Sequence, residues 1–475
     1  MKRKLYDELT KWKNSKTRKP LLLQGARQVG KTYLLKEFGN QEFDKTVYLN
    51  LDKDKERFEA IFSGSIEPNH IISKLETVIG EKIEPSNTLI IFDEVQEIPR
   101  ALTSLKYFCE DAPEYFIAAS GSLLGIAMHQ GTSFPVGKID FLKLEPMSFE
   151  EFMIATGNER FLKIINNEDN LKIFADDFEA VFREYLIVGG MPEAVVSWVE
   201  TRDYKEVDKI QNTILLAYMD DISKHTDTTT ATRIHQIWNS LPAQFAKRNE
   251  KFMFSAVRPG ARAREYEVAI QWMVDCNIVR KVERLKSGNK LPLKAYVDFS
   301  SFKLYFLDVG LFRHLAGVST EMVLNNDRLF KEFNGFFVEQ FVLQQMAGRY
   351  ELFYWTSEAN AEVDFVTSID SSVIPIEVKS GTNVKAKSLK TFRDNYSPKL
   401  SLRFSLRPLE YNNGLLNLPI YIAGLADDYI ENHLKLDSWL FLRGGYTYYN
   451  DYVIIYVKEG YLKWSSNQHY YYQVY

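Results

Sequence analysis

The chain has 475 residues, 45% of them hydrophobic and 26% charged, which is the composition of an ordinary globular protein. It is too long for one typical hydrophobic core, so we expect about two to four domains. A net charge of −4 excludes a general attraction to nucleic acid, and the presence of only Cys109 and Cys276 excludes a cysteine-based zinc site and a disulfide framework. We expect a cytoplasmic protein without a membrane span, because no run of about 18 apolar residues occurs.

The N-terminal segment is basic but has no signal-type apolar core. Its spacing predicts an amphipathic helix in which Leu5, Leu9 and Trp12 pack inward while the cations face water. Contact between this arm and nucleic acid is the alternative interpretation. The cations are Lys2, Arg3, Lys4, Lys11, Lys13, Lys16, Arg18 and Lys19.

A complete phosphate-binding loop of the G-x-x-x-x-G-K-T type follows the apolar run Pro20–Gln24 and precedes the helical stretch Tyr33–Phe38. Its two glycines let the backbone wrap closely around a polyphosphate, so that loop N–H groups and the following helix N-terminus face the anion. We expect Lys31 to reach the β- and γ-phosphates and the Thr32 hydroxyl to ligate Mg²⁺. The predicted nucleotide-binding residues of the loop are Gly25, Ala26, Arg27, Gln28, Val29, Gly30, Lys31 and Thr32.

A second phosphate-site motif lies at the end of the apolar stretch Thr88–Phe92, which indicates a buried strand. Asp93, at the strand end, is predicted to hold Mg²⁺ directly or through water. Glu94, one residue further, is the candidate catalytic base that polarises the water attacking the γ-phosphate. Gln96 is either a reader of the γ-phosphate or a surface residue.

Two further roles in ATP hydrolysis have candidates. The strand predicted at Tyr115–Ala119 ends near Ser120 and Ser122, and either serine is a candidate sensor that binds the nucleotide, with an ordinary Ser-Gly turn as the alternative. Arg100 and Arg183 are both candidates for an arginine finger, and the sequence does not distinguish them.

The alternative classes of P-loop protein lack their signatures here. GTPases need an Asn-Lys-x-Asp base reader, whereas Asn289-Lys290 is followed by Leu291-Pro292. The Leu-Ser-Gly-Gly-Gln signature of transporter ATPases is absent, and an Asp-Glu pair is unusual in small-molecule kinases. The sequence therefore predicts an ATPase.

The middle of the chain contains a helical region followed by a predicted winged-helix pattern. Helical spacing from about residue 151, interrupted at Gly189-Gly190, indicates a lid over the nucleotide. Two helices, the second at Ala263–Cys276, then precede strands predicted at Ile278–Leu285 and Leu291–Phe299. Arginines at the start of that second helix would face a DNA groove, unless the module only packs against its neighbours. They are Arg258, Arg262 and Arg264.

The C-terminal third contains a nuclease-like set of residues. Glu377 and Lys379 share one face of a strand predicted at Val373–Lys379, and Asp364 lies on a strand that we expect to pair with it. Glu339, on a helix, completes the set. Asp364 and Glu377 are the predicted metal ligands for phosphodiester cleavage, with Lys379 orienting or activating water. A structural ion-pair cluster is the alternative, and the other acid-x-Lys tripeptide, Asp203–Lys205, has no such surroundings.

With these motifs, the chain resembles prokaryotic AAA-superfamily ATPases that carry a C-terminal domain of unknown function 4143. The resemblance covers about residues 1–425 and implies ATP binding. The motifs that carry it are Gly25–Thr32, Leu89–Gln96, Leu144–Phe149, Gly189–Glu193, Glu362–Asp364 and Ile376–Gly381.

The expected fold class is α/β, with a P-loop parallel sheet followed by a lid, a winged-helix-like module and a restriction-endonuclease-like α/β domain. The predicted boundaries are residues 1–150 for the ATPase domain, 151–228 for the lid, 229–325 for the winged-helix-like module and 326–430 for the nuclease-like domain. From about Leu434 the chain is crowded with Tyr and Trp, and a hairpin is predicted at Val453–Trp464. This tail, residues 431–475, is an added sheet edge, an aromatic binding surface or a reading-frame extension.

The leading hypothesis is an ATPase with ATP and Mg²⁺ as cofactors, whose nucleotide cycle governs a nuclease-like C-terminal half acting on nucleic acid. The alternative is a regulatory ATPase whose C-terminal domain does not cleave but binds a protein partner. A small-molecule phosphotransferase is a third hypothesis. DNA, RNA and a second copy of the chain are the candidate macromolecular partners, and no membrane contact is expected.

Overall fold

The computed structural model describes residues 1–122, 135–246, 251–325, 328–358, 361–381, 387–441, 446–449, 452–457, 460–465 and 470–474. The chain forms two compact units. The first comprises Met1–Ile164, Asp176–Val282 and Phe302–Gln344, and the second comprises Ile165–Ala175, Glu283–Ser301 and Gln345–Tyr475. Within the described ranges, no helix has the length and apolar character needed to cross a membrane.

In its described part, the first unit contains a five-stranded parallel sheet in the order β2-β3-β4-β1-β5. The strands are β1 Leu21–Gln24, β2 Lys45–Asn50, β3 Thr88–Asp93, β4 Phe116–Gly121 and β5 Asp140–Lys143. Every residue of β3 is buried, as expected for a parallel strand covered on both faces by helices. The α/β class and the P-loop parallel sheet of the prediction are confirmed, whereas the restriction-endonuclease-like character of the C-terminal domain stays a prediction.

Helices cover the sheet of the first unit and continue into its later segments. The N-terminal helix buries Leu9 and Trp12, as predicted. The helices are Leu5–Asn14, Lys31–Glu42, Lys55–Ser63, Pro68–Ile79, Pro99–Asp111, Phe149–Ala155, Ala175–Val188, Pro192–Thr201, Tyr204–His225, Thr228–Ala246, Phe254–Val257, Ala263–Asp275, Val309–Leu315, Thr320–Leu324 and Arg328–Met346.

A buried carboxylate, Asp308, fastens two glycine turns of the first unit to each other. It accepts hydrogen bonds from the backbone N–H of Gly190 at 2.7 Å and from the Gln344 amide at 2.9 Å. Gly189 has φ +73°, and a Cβ there would lie 2.1 Å from Asp308 Oδ1; one on Gly310 would lie 2.5 Å from the Gly189 nitrogen. Only glycine permits this approach.

The strand predicted at Leu291–Phe299 begins later than expected. Strand β6 spans Val279–Leu285, and the next strand, β7, spans Val297–Phe306. Residues Leu293–Tyr296 form a 3₁₀ turn after Pro292, which has no N–H to donate to a strand neighbour. The winged-helix assignment and the five domain boundaries stay predictions.

The second unit is built on a mixed sheet. Over the described residues the sheet has the order β12-β13-β11-β10-β9-β8-β6-β7. Two boundaries between the units in sequence, after Val282 and after Ser301, fall within β6 and β7. Its remaining strands are β8 Phe353–Thr356, β9 Glu362–Ile369, β10 Ser372–Val378, β11 Ser401–Ser405, β12 Glu410–Asn412 and β13 Leu415–Pro419, and its helices are Glu168–Ile173, Lys387–Tyr396 and Asp427–Phe441. Trp355 packs edge-on against Phe392 in the core.

The C-terminal segment forms an antiparallel sheet of four described strands, β14 Tyr446–Tyr449, β15 Tyr452–Val457, β16 Gly460–Ser465 and β17 Tyr470–Val474. Strands β15 and β16 pair as the predicted hairpin. Residues 458–459, which were predicted to belong to its turn, lie outside the described residues.

Candidate functional site

The phosphate-binding loop joins β1 to the helix Lys31–Glu42, which begins directly after Gly30. Gly30 has φ +93°, and a Cβ on Gly25 would lie 2.2 Å from the Leu144 carbonyl oxygen. Both positions therefore require glycine, as the motif predicts. The loop encloses the Lys31 ammonium, which donates hydrogen bonds to the carbonyl oxygens of Gly25 at 3.0 Å and Ala26 at 2.8 Å.

Burial lowers the pKa of Lys31 to about 8, and the nearby carboxylates of Glu94 and Asp93 partly oppose this shift. The side chain is held inside the loop by backbone oxygens, and among the described residues no carboxylate accepts a hydrogen bond from it. An anion that replaces those oxygens would favour the charged ammonium.

Asp93 lies at the end of β3 and gathers three hydroxyl groups. Its Oδ2 accepts hydrogen bonds from Thr32 Oγ1 and from the Tyr48 hydroxyl, both at 2.8 Å. Its Oδ1 accepts a hydrogen bond from Ser120 at the end of β4. Tyr48 was not predicted from the sequence, because only the order of the strands brings β2 beside β3.

Glu94 follows in a left-handed conformation with φ +53°, which is costly for a residue with a side chain. Its Oε2 accepts hydrogen bonds from Gln96 Nε2 at 2.7 Å and from Ser122 Oγ at 3.1 Å. The two candidate sensors thus contact different acids, Ser120 binding Asp93 and Ser122 binding Glu94. Their sensing roles stay predictions.

Arg3 supports the loop from the N-terminal arm. Its guanidinium donates hydrogen bonds to the Val29 carbonyl oxygen at 2.9 Å and to Glu151 at 3.0 Å. The residue is only 6% exposed. The expectation that all the N-terminal cations face water is therefore wrong for Arg3, because Glu151 neutralises it. The sequence contains no direct signal for this ion pair, because the Ser148 and Glu151 spacing indicates only a capping box at a helix start.

The helix Tyr204–His225, within the predicted lid, contacts the phosphate-binding loop. The Tyr218 hydroxyl donates a hydrogen bond to the Arg27 carbonyl oxygen at 2.7 Å, and Asp221 forms an ion pair with the Arg27 guanidinium. The Gln211 amide, further back on this helix, donates to the carbonyl oxygens of Ile187 and Val188. Tyr218 and Asp221 were not predicted as partners of Arg27, because each is about 190 residues from it in sequence.

The arginines predicted to act on ligands lie in ordinary contacts. Arg100 donates hydrogen bonds to the carbonyl oxygens of Phe62 and Gly64, and Arg183 donates to Leu324 and forms an ion pair with Glu179.

At the candidate DNA-reading helix, Arg258 donates to Tyr266 and forms an ion pair with Glu265. Arg262 is the N-cap residue of the helix Ala263–Asp275, and Arg264 lies in its first turn. The arginine-finger and DNA-contact roles stay predictions.

The second unit brings together three of the four nuclease-like residues. Asp364 Oδ2 accepts a hydrogen bond from the Val378 N–H at 2.7 Å. Lys379, directly after β10, forms an ion pair with Glu377. Glu339 belongs to the first unit, where it accepts a hydrogen bond from Tyr305 at 3.3 Å.

Glu377 is a buried acid with a raised pKa in this acidic cluster. It is 3% exposed, and among the described residues its Oε2 atom is buried with no hydrogen-bond partner. Burial first and the Asp364 charge second raise the pKa of Glu377 to about 7. Two neighbouring carboxylates, one of which has an oxygen without a hydrogen-bond partner among the described residues, fit a hard divalent cation such as Mg²⁺. The described residues contain no group of three or more His, Cys, Asp or Glu side chains arranged to hold a metal.

Three family models match successive parts of the chain. An AAA domain model matches residues 17–153, a domain of unknown function (DUF8612) matches residues 179–322, and a domain of unknown function (DUF4143) matches residues 334–422. No curated protein matches the sequence.

Solved structures similar to the chain include a Walker-type ATPase and a protein solved in complex with DNA. The Walker-type ATPase PABY2304 of Pyrococcus abyssi is 15% identical, with 66% of this chain and 95% of that chain covered and a TM-score of 0.40. The Aeropyrum pernix ORC1 protein in complex with DNA is 11% identical, with 66% and 90% covered and a TM-score of 0.23. Thermotoga maritima RuvB is 13% identical, with 58% and 88% covered and a TM-score of 0.25. By these matches, the chain is similar to an AAA domain over residues 17–153 and to the DUF4143 domain over residues 334–422.

Proposed function

We propose that the first unit binds ATP with Mg²⁺ and hydrolyses it. The observation that carries this proposal is the 2.8 Å hydrogen bond between the Thr32 hydroxyl and Asp93. These are the two side chains that would hold Mg²⁺ against the β- and γ-phosphates in a P-loop ATPase. When bound, Mg²⁺ supplies positive charge at the phosphate oxygens.

The remaining side chains divide the work of hydrolysis. The Lys31 ammonium exchanges the carbonyl oxygens of its own loop for phosphate oxygens, whose negative charge favours its protonated form. The Glu94 carboxylate, oriented by Gln96 and Ser122, accepts a proton from the attacking water. Ser120 fixes the orientation of Asp93. ATP is preferred to GTP as substrate because no Asn-Lys-x-Asp base reader follows the loop.

The test is ATP turnover and nucleotide affinity of the Lys31→Ala variant, with GTP as a competing substrate. We expect turnover to fall by at least about a hundredfold, because a positive charge aimed at the phosphates is lost. Lys53→Ala is the matched control, since Lys53 is exposed beside the same sheet. Unchanged binding and turnover in Lys31→Ala would show that the ATPase assignment is wrong. Turnover of ATP without any acceptor would argue against a phosphotransferase.

The second unit is a candidate metal-dependent phosphodiesterase acting on nucleic acid. The observation that favours this second function is the buried Glu377 oxygen, which has no hydrogen-bond partner in the described part of the chain and belongs to the cluster with Asp364 and Lys379. Asp364 and Glu377 would hold Mg²⁺, which supplies Lewis-acid activation of a phosphate when bound. The Lys379 ammonium would orient water at the same place.

Incubation of the protein with DNA or RNA and Mg²⁺ or Mn²⁺ tests this function. We expect cleavage that is lost in Asp364→Asn and Lys379→Ala but kept in Lys205→Ala, which changes the other acid-x-Lys tripeptide. Isothermal titration with Mn²⁺ adds a readout that does not depend on activity. If neither cleavage nor metal binding occurs, the alternative holds, a regulatory ATPase whose C-terminal domain binds a protein partner.

A further inference from the structure

An arginine-lined cavity of about 300 Å³ lies in the second unit. Arg393, Arg403 and Arg407 line it, together with Asn412 and Asn413. One carboxylate, Glu410, is also in the lining, so the lining contains three arginines and a single acid. Guanidinium groups in a concave site are typical of phosphate and carboxylate recognition, because their planar donors match those anions.

The polypeptide holds two of these arginines through one buried amide, that of Asn417. Asn417 is 1% exposed, and its Oδ1 accepts a hydrogen bond from Arg403 Nε at 3.0 Å. Its Nδ2 donates to the carbonyl oxygens of Arg407 and Pro408, at 3.3 and 2.9 Å. The turn that carries Arg407 is therefore fixed to the strand that carries Arg403, which lowers the entropy cost of binding a ligand.

The third arginine comes from a different element. Arg393 lies in the last turn of the helix Lys387–Tyr396 and donates a hydrogen bond to the Asn413 carbonyl oxygen. The three positive groups thus reach the cavity from a helix, a strand and a turn. Burial first and the Arg407 charge second lower the pKa of Arg403. The repulsion between neighbouring guanidinium charges would be reduced by a bound anion.

The cavity adjoins the acidic cluster through the strand register. Glu377 on β10 is the direct neighbour of Arg403 on β11, and Arg403 is the direct neighbour of Asn417 on β13. Register neighbours present their side chains on one face of a sheet. One row of polar side chains therefore runs from the Glu377 carboxylate to the arginine cavity.

We propose that this cavity binds a phosphate group and, within the second unit, holds a backbone phosphate of a nucleic acid strand beside Glu377. Anion binding stands on the cavity alone, whereas the choice of a strand phosphate rests on the proposed phosphodiesterase function. A free phosphate or pyrophosphate offers the same chemistry from a different source. The two sources are separated by the binding experiment.

Binding is measured on the full-length protein carrying Lys31→Ala, which removes phosphate binding by the P-loop, and in EDTA, so that no cleavage is required. The probes are a fluorescently labelled single-stranded oligonucleotide, followed by anisotropy, and pyrophosphate, followed by calorimetry. The test variant is Arg407→Gln, because Arg407 is exposed and its loss leaves the Asn417 bonds to the backbone in place. Arg407→Glu reverses the charge at the same position. Lys294→Gln is the matched control, since Lys294 is 73% exposed in the same unit and does not line the cavity.

We expect Arg407→Gln to weaken oligonucleotide binding about fivefold and to lower the slope of log affinity against log salt by about one, with Arg407→Glu weakening it more. Lys294→Gln should behave as the parent. A loss confined to the pyrophosphate arm would support the phosphate site and assign it to a free anion. The proposal would be overturned if neither the oligonucleotide affinity nor the pyrophosphate affinity differed between the parent, Arg407→Gln and Arg407→Glu proteins. Because no metal is present, loss of cleavage alone does not affect this result.

Discussion

In the first unit the Asp93 carboxylate accepts hydrogen bonds from Thr32, Tyr48 and Ser120, whereas in the second unit one buried oxygen of Glu377 has no hydrogen-bond partner among the described residues. The carboxylate beside the phosphate-binding loop is therefore held in place by three hydroxyl donors. The acidic cluster instead retains an electrostatic penalty that a cation would relieve. The comparison teaches that preorganisation and affinity for charge are separate properties of a site.

The largest effect is expected from removing the centre of the satisfied network. Asp93→Ala leaves three hydroxyls without their acceptor and removes the proposed Mg²⁺ ligand, so we expect ATP turnover to fall about a thousandfold. Steady-state ATPase assays measure this, with Asp52→Ala, an exposed acid, as control. A loss below about tenfold would mean that the network is structural and that Asp93 does not act on the nucleotide.

Arg3→Ala tests whether the loop depends on its support from the N-terminal arm. Removing one partner of a buried ion pair leaves the other charge uncompensated, so we expect the free energy of unfolding to drop by about 3 kcal/mol. Chemical denaturation followed by circular dichroism measures the change. Lys2→Ala, on the exposed side of the same arm, should stay within about 0.5 kcal/mol. A small loss in Arg3→Ala as well would contradict the supporting role.

Glu377→Gln tests the electrostatic penalty of the acidic cluster through pH. Because the folded-state pKa of Glu377 is raised, its contribution to stability is present at low pH and is lost as pH rises through about 7. In EDTA we expect the variant to be more stable than the parent by about 2 kcal/mol at pH 8 and to lose this advantage near pH 5. Urea unfolding at the two pH values measures it, with Asp394→Asn as control. A difference independent of pH would show that Glu377 is not under electrostatic penalty.

The smallest effect is expected at the contact between the loop and the helix Tyr204–His225. Tyr218→Phe keeps the ring but removes the hydrogen bond to the Arg27 carbonyl oxygen. Such a hydrogen bond contributes about 1 kcal/mol. We expect nucleotide affinity to fall about fivefold, as measured by titration with a fluorescent ATP analogue. Tyr107→Phe, on a different helix, is the control. Affinity equal to that of the parent would place this helix outside the nucleotide site.

The sequence predicted those parts of the molecule that depend on local pattern. The loop Gly25–Thr32, the strand that ends at Asp93 and the pairing of Asp364 with the Glu377 strand follow from glycine positions, apolar runs and period-two alternation. Tyr48, Tyr218 and Arg3 were not predictable, since each reaches the loop from a distant part of the chain. The burial of Arg3 depends on Glu151, about 150 residues away, which no local pattern relates to it.

The Asp308 carboxylate has a mechanical consequence for the first unit. The loop holds Tyr218, the same helix holds the Gly189 turn through Gln211, and that turn is locked by Asp308 to Gln344, where the unit ends. The backbone at Gly189 and Gly310 is packed so closely that even a Cβ would collide there. Close packing of this kind transmits a displacement to its neighbours rather than absorbing it. If a shift of the loop moved the helix Tyr204–His225 as a rigid body, we would therefore expect a displacement at Gln344, the last residue of the first unit.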